Sequence, residues 1–201
     1  MRYPFYLIQF LFHPIWYPMY GMIFCIIYSP ENIPVELAKY TWTALVLSSV
    51  AFPTLAYIGL RIFNWMPSPF QIYPKNKTII IYGYMVVLLI LSGQLIPREL
   101  FPELSFYISA LLTAYFISVL LIYLKIPVSL YTMAAGSFTS FLIFTGELFH
   151  IDILTPLACM FILSGWVASA RIYHQQQSLT GTTIGWLVGF SPLWILHFAT
   201  L

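Results

Sequence analysis

Seven long apolar runs, separated by short polar connections, dominate the pattern along this chain. They lie near Phe10 to Tyr28, Tyr40 to Phe63, Thr78 to Ile96, Leu104 to Leu124, Ser129 to Phe149, Ile153 to Arg171 and Thr180 to Leu201. Crossing the hydrocarbon of a bilayer takes about 20 apolar residues in a helix, because unpaired backbone groups are intolerable in lipid. Each run therefore predicts a transmembrane helix. A barrel is excluded, since its strands read as alternating segments of roughly 10 residues, whereas these runs are continuous. The first run follows a charged Arg2 as a signal peptide would, but it is long, carries Pro14 and Pro18, and shows no small-residue cleavage site; it is read as a helix.

Composition agrees with the pattern. The chain has 201 residues, of which 61% are hydrophobic and 7% charged, against about a quarter charged in soluble domains. No stretch is polar enough for a separate soluble domain, so residues 1–201 are expected to form one all-α integral membrane domain, a polytopic bundle of about seven helices. The longest polar connection, Asn64 to Lys77, carries prolines at 67, 69 and 74 and reads as a structured loop at the membrane surface.

Seven spans sort the charges by face. The N-terminus and the connections after the second, fourth and sixth helices carry Arg2, Arg61, Lys75, Lys77, Lys125 and Arg171 and no acid. The other face holds Lys39 and Arg98 with Glu31, Glu36, Glu99, Glu103, Glu147 and Asp152, which are all the acids of the chain. Six basic residues against two predict a cytoplasmic N-terminus and an external C-terminus by the positive-inside rule, in a bacterial inner membrane.

Aromatic residues recur near the helix ends, as at Trp16, Tyr17, Trp42, Trp65, Tyr73 and Trp194, where they suit the membrane interfaces. Gly181, Gly185 and Gly189 fall every fourth residue along one face of the last helix and would let a neighbouring backbone approach closely, within the bundle or across a seam to a protein partner or a second copy. Pro14 and Pro18 should bend the first helix, with His13 as a hydrogen-bonded structural group. Cys25 and Cys159 fall inside helices and read as packing residues. The histidines at 13, 150, 174 and 197 lack paired helical spacing, so no metal or haem is expected. No phosphate loop or extended basic patch points to nucleotide or nucleic acid.

The last third contains Ala168-Ser169-Ala170-Arg171-Ile172-Tyr173, a polar turn, and a helix through Gly181, Gly185 and Gly189; farther upstream, Lys125-Ile126-Pro127-Val128-Ser129-Leu130-Tyr131 opens the fifth helix. Over roughly residues 120 to 190 this resembles the second and third motif regions of the type 2 phosphatidic acid phosphatase superfamily of membrane lipid phosphatases. Lys75 and Lys77 lie where its first basic motif would be. The resemblance implies a six-helix core, with the three regions converging on one membrane face. It implies that Lys75 or Lys77, with Lys125, Ser129 and Arg171, would hold a lipid phosphate. It also implies a broken catalytic set. Gln177 stands where the family has its nucleophilic histidine, Gly181 replaces the aspartate that orients it, and Tyr131 replaces the histidine that protonates the leaving group. Tyr82 or Tyr84 takes the place of the first-motif arginine.

Chemically, a glutamine amide cannot accept a phosphoryl group, and a phenol of pKa about 10 is a poor acid at neutral pH. The expectation is a catalytically inactive lipid-phosphatase-like protein, an accessory or structural subunit of a membrane complex that contacts membrane lipids, needs no cofactor and retains a lipid-phosphate site. An active phosphatase would require His174, three residues past Arg171, as an unorthodox nucleophile. A small transporter or flippase is the third reading, but no internal repeat or mid-span acid marks one.

Overall fold

A computed structural model describes residues 3–28, 33–62 and 74–200. Side chains of residues 3–6, 60, 74–80 and 200 lie outside the described set. Among the described residues there are seven helices and no strand. We label them α1 (residues 3–28), α2 (35–62), α3 (74–95), α4 (Pro102–Tyr123), α5 (Leu130–Phe149), α6 (Leu154–Tyr173) and α7 (Leu179–Thr200). Five stretches, residues 7–28, 35–59, 102–123, 154–173 and 179–199, are long and apolar enough to cross a membrane, and Ile81–Leu95 is a shorter apolar helix. The chain is a multi-pass helical membrane protein.

Three of these helices are irregular, each for a local reason. Pro14 cannot donate a backbone hydrogen bond, so α1 stops at Leu11, and His13 caps a 3₁₀ turn, Pro14–Trp16, before the helix resumes at Tyr17. The Tyr20 hydroxyl spans the break by donating to the Leu11 carbonyl at 2.6 Å. In α2 a wide π turn over Val46–Ala51 precedes Pro53, and in α3 another covers Leu91–Leu95. There Arg98 donates from Nε and Nη2 to the Ser92 carbonyl, at 3.2 and 3.1 Å.

Helix boundaries move outward from the apolar runs. α2 begins at Val35 and α3 at Pro74, so the last residues of the expected surface loop are helical; the rest of that loop lies outside the described residues. Proline suits a helix start because its missing N–H has no intrahelical partner there.

A helix rich in buried hydroxyls sits at the centre. α5 buries Thr132, Ser137, Thr139, Ser140 and Thr145, and its neighbours shield these hydroxyls from lipid. The Thr139 and Thr145 hydroxyls donate back to the carbonyls of Ala135 and Phe141, each at 2.8 Å, which satisfies them without water. Phe141 stacks on Tyr107 of α4 with ring centroids 4.5 Å apart, and Phe138 meets Tyr17 of α1 edge-on. Side chains such as Leu47, Leu55, Ile62, Leu120 and Leu187 face outward, as lipid-facing positions do.

α5 and α7 run parallel in backbone contact. A methyl on Gly185 would strike the Ser129 carbonyl, one on Gly189 the Met133 carbonyl, and one on Gly136 the Trp186 carbonyl. Gly185 and Gly189 of α7 are thus packed against α5 of the same chain.

Candidate functional site

The parallel run of α5 and α7 sets the level of the site. The Ser129 amide, at the start of α5, donates to the Gly181 carbonyl in the first turn of α7 at 2.9 Å. α6 returns to the same end and terminates there. Gln175 adopts left-handed φ of 53°, and the amides of Gln176 and Gln177 reach back to the Arg171 carbonyl at 3.0 and 3.3 Å. This closure is a left-handed helix cap that glycine would ordinarily supply. It folds the polar turn under α6 and puts the Gln177 side-chain oxygen against Gly181, 3.0 Å from where a Cβ would stand. Gln177 and Gly181 are therefore neighbours.

Arg171 is 6% exposed, and its guanidinium carbon lies 4.3 Å over the ring of Tyr131. The quadrupole of the phenol attracts the cation, an interaction that gains strength where water is thin. His13 also meets Tyr131 edge-on, with centroids 5.2 Å apart. Gln9, fully buried on the first segment of α1, donates from Nε2 to the Ala170 carbonyl at 3.4 Å. Ile8, Tyr131, Val167 and Ala170 form a small apolar cluster beneath, with Phe12 and Leu163 packed against it.

Several oxygens in this region are buried without a hydrogen-bond partner among the described residues: Ser129 Oγ, Tyr131 Oη and Gln9 Oε1. Each is the kind of group whose burial costs about 1–3 kcal/mol when unpaired. Two hydroxyls, an amide and a guanidinium thus lie at the same end of the bundle. Among the described residues the acids Glu36, Glu99, Glu103, Glu147 and Asp152 stand in connections or near helix ends at the opposite end of the bundle. A planar, permanently charged fork beside hydroxyls can hold a phosphate or carboxylate.

The residues named from sequence fall into three groups. Ser129, Tyr131, Arg171, Gln177 and Gly181 are brought together. Lys125 is not drawn into this group: it is exposed, with φ of 61°, and closes the C-terminus of α4 through its amide bond to the Ile122 carbonyl at 2.9 Å. Lys75 and Lys77 start α3 by their backbone, and their side chains lie outside the described residues. His174 caps α6 half-buried, its ring edge-on to Tyr173 at 5.4 Å. Gln9 and His13 are the residues that sequence reasoning missed as site members. His13 does have the structural role expected of it, accepting from the Ile15 amide at 3.4 Å. No protein-family model, curated protein or solved structure matches the chain.

Proposed function

We propose that the chain is a catalytically inactive relative of the membrane lipid phosphatases that binds a lipid phosphate and serves as an accessory or structural subunit of a membrane complex. The observation that carries this reading is Arg171, buried beneath the bundle's end with its guanidinium on Tyr131, in company with the unpaired Ser129 and Tyr131 hydroxyls. A buried arginine in a membrane protein is costly and marks a functional site by default. Its donors suit the oxygens of a phosphate monoester, and the positions aligned with the family's nucleophile and its orienting acid carry neither an imidazole nor a carboxylate. Gln177 and Gly181 supply neither a nucleophile nor its orienting acid, and Tyr131 contributes a ring face and a phenol in place of an imidazole.

In this account the site opens at the cytoplasmic face of a bacterial inner membrane, with the N-terminus inside and the C-terminus outside, as the distribution of lysine and arginine favours. Lys75, Lys77 and Lys125 at the same face raise the local concentration of anionic lipid. The test is extraction in mild detergent, mass spectrometry of what co-purifies, and a phosphate-release assay on the same sample. Stoichiometric protein partners and bound lipid phosphate without turnover are expected. Turnover by the isolated chain would overturn the reading.

A further inference from the structure

An apolar groove of about 380 Å³ opens on the lipid-facing side of the bundle between α1, α5 and α6, lined by Leu11, Phe12, Tyr20, Ile23, Phe24, Ile27, Phe138 and Met160. Its volume is at the lower end of the roughly 300–1,000 Å³ of small-molecule sites. Phe138 lies about two turns beyond Tyr131 on α5, and Met160 about three turns before Arg171 on α6. The groove therefore runs along the membrane normal for roughly 15–20 Å away from the polar cluster. Phe12 belongs to both: it lines the groove and also packs on the Ile8, Tyr131, Val167 and Ala170 cluster at the foot of the site.

We propose that this groove seats one hydrocarbon chain of a lipid monophosphate whose phosphate lies at Arg171, Ser129 and Tyr131, with Gln9 and His13 of α1 completing the polar end and Phe12 separating head from tail. The proposal deepens the reading above and rests on it. An apolar groove facing lipid has no preference of its own among chains, because the surrounding acyl tails are equally apolar. Selection must come from the polar end. There the charge of Arg171 complements a phosphate, and the buried, unpartnered Ser129 Oγ, Tyr131 Oη and Gln9 Oε1 favour a ligand offering both oxygens and a donor. The break in α1 at His13 is what joins the two ends, since it directs Gln9 toward Ala170 above it and lets Tyr20 and Ile23 flank the groove below.

The test is binding to the purified full chain in a neutral maltoside detergent, read by native mass spectrometry with three probes. Oleoyl lysophosphatidate carries chain and phosphate, glycerol 3-phosphate only the head, and monoolein only the chain. The expected order places lysophosphatidate first and monoolein last. Arg171→Gln should weaken both phosphate probes by about tenfold or more, the loss of a charge-assisted contact. Ile23→Trp and Ile27→Trp, each filling the groove from a lipid-facing position, should weaken lysophosphatidate about tenfold and leave glycerol 3-phosphate unchanged. Two separate groove variants guard against misfolding of one, with monodispersity in detergent as the control. If both bind lysophosphatidate like the wild type while Arg171→Gln does not, the groove assignment fails and the phosphate site stands. If Arg171→Gln binds every probe like the wild type, the phosphate site fails and the groove assignment with it. Equal binding of monoolein and lysophosphatidate would also overturn the proposal.

Discussion

Replacing the glycines of α7 one at a time with alanine should produce a steep gradient of stability. At Gly189 an added Cβ would stand inside the Met133 carbonyl oxygen, with the Met133 carbon at 2.7 Å and the Ser137 nitrogen at 2.8 Å. At Gly185 it would meet the Ser129 carbonyl, with Thr132 Oγ1 at 2.6 Å. Both obstacles are helical backbone, which cannot yield without moving α5. At Gly181 the nearest atoms are the Gln177 side-chain oxygen at 3.0 Å and Pro127 Cβ at 3.3 Å, and a small rotation of Gln177 relieves the contact. Gly165 in α6 has nothing within 4 Å of its Cβ position and serves as the control. Alanine gains about 1 kcal/mol of helix propensity over glycine, so Gly165→Ala should be neutral or mildly stabilising and Gly181→Ala within about 1 kcal/mol of wild type. Overpacking costs about 1–3 kcal/mol or more, and separating two helices in backbone contact forfeits their dispersion energy along the whole seam. Gly185→Ala and Gly189→Ala are therefore expected to lose about 2–4 kcal/mol net, seen as a fall of several degrees in the melting temperature by size-exclusion thermostability in detergent. Were Gly189→Ala to melt with Gly165→Ala, the close approach of α5 and α7 would be wrong.

Three other outcomes follow from the same geometry. His150 ends α5 with a left-handed φ of 52°, so His150→Gly should stabilise the protein by about 1 kcal/mol in the same melting assay. Tyr131→Phe keeps the ring under Arg171 and removes a buried, unpaired hydroxyl, so it should melt above wild type, by up to about 1–3 kcal/mol, whereas Tyr131→Leu should fall about 1–2 kcal/mol below Tyr131→Phe for the lost cation–π contact; equal melting of the two would refute that contact. Membrane-impermeant thiol reagents should label Lys125→Cys only from the cytoplasmic side and Asp152→Cys only from outside, and the reverse pattern would invert the proposed topology.

Much of the fold was legible because length and apolarity alone decide which segments cross a bilayer. The apolar runs and the helices coincide along most of their length, and the alternating direction of successive helices places Ser129, Arg171 and Gly181 at one end. Neighbour relations were harder to read. A lipid-facing surface and a protein-facing surface are equally apolar, so nothing in the sequence says that α1 lies against α6, and Gln9 and His13 were left out of the site. Lys125, which the resemblance offers as a phosphate ligand, is exposed and ends α4 through its backbone. The small-residue spacing of Gly185 and Gly189 announced a close approach without naming the partner helix, which the polar composition of α5 explains only once that helix is seen at the centre. The π turns in α2 and α3 carry no distinctive sequence mark beyond Pro53, Gly93 and Pro97 nearby.

The account turns on a site that holds a phosphate and leaves it intact. The most direct measurement adds radiolabelled lysophosphatidate to the purified chain and follows bound lipid and released inorganic phosphate in the same sample, for wild type and Arg171→Gln. The account requires saturable binding by the wild type, its loss in Arg171→Gln, and no phosphate release above buffer from either. Release by the wild type that disappears in the variant would contradict it, and would mean that groups near Arg171 catalyse the hydrolysis.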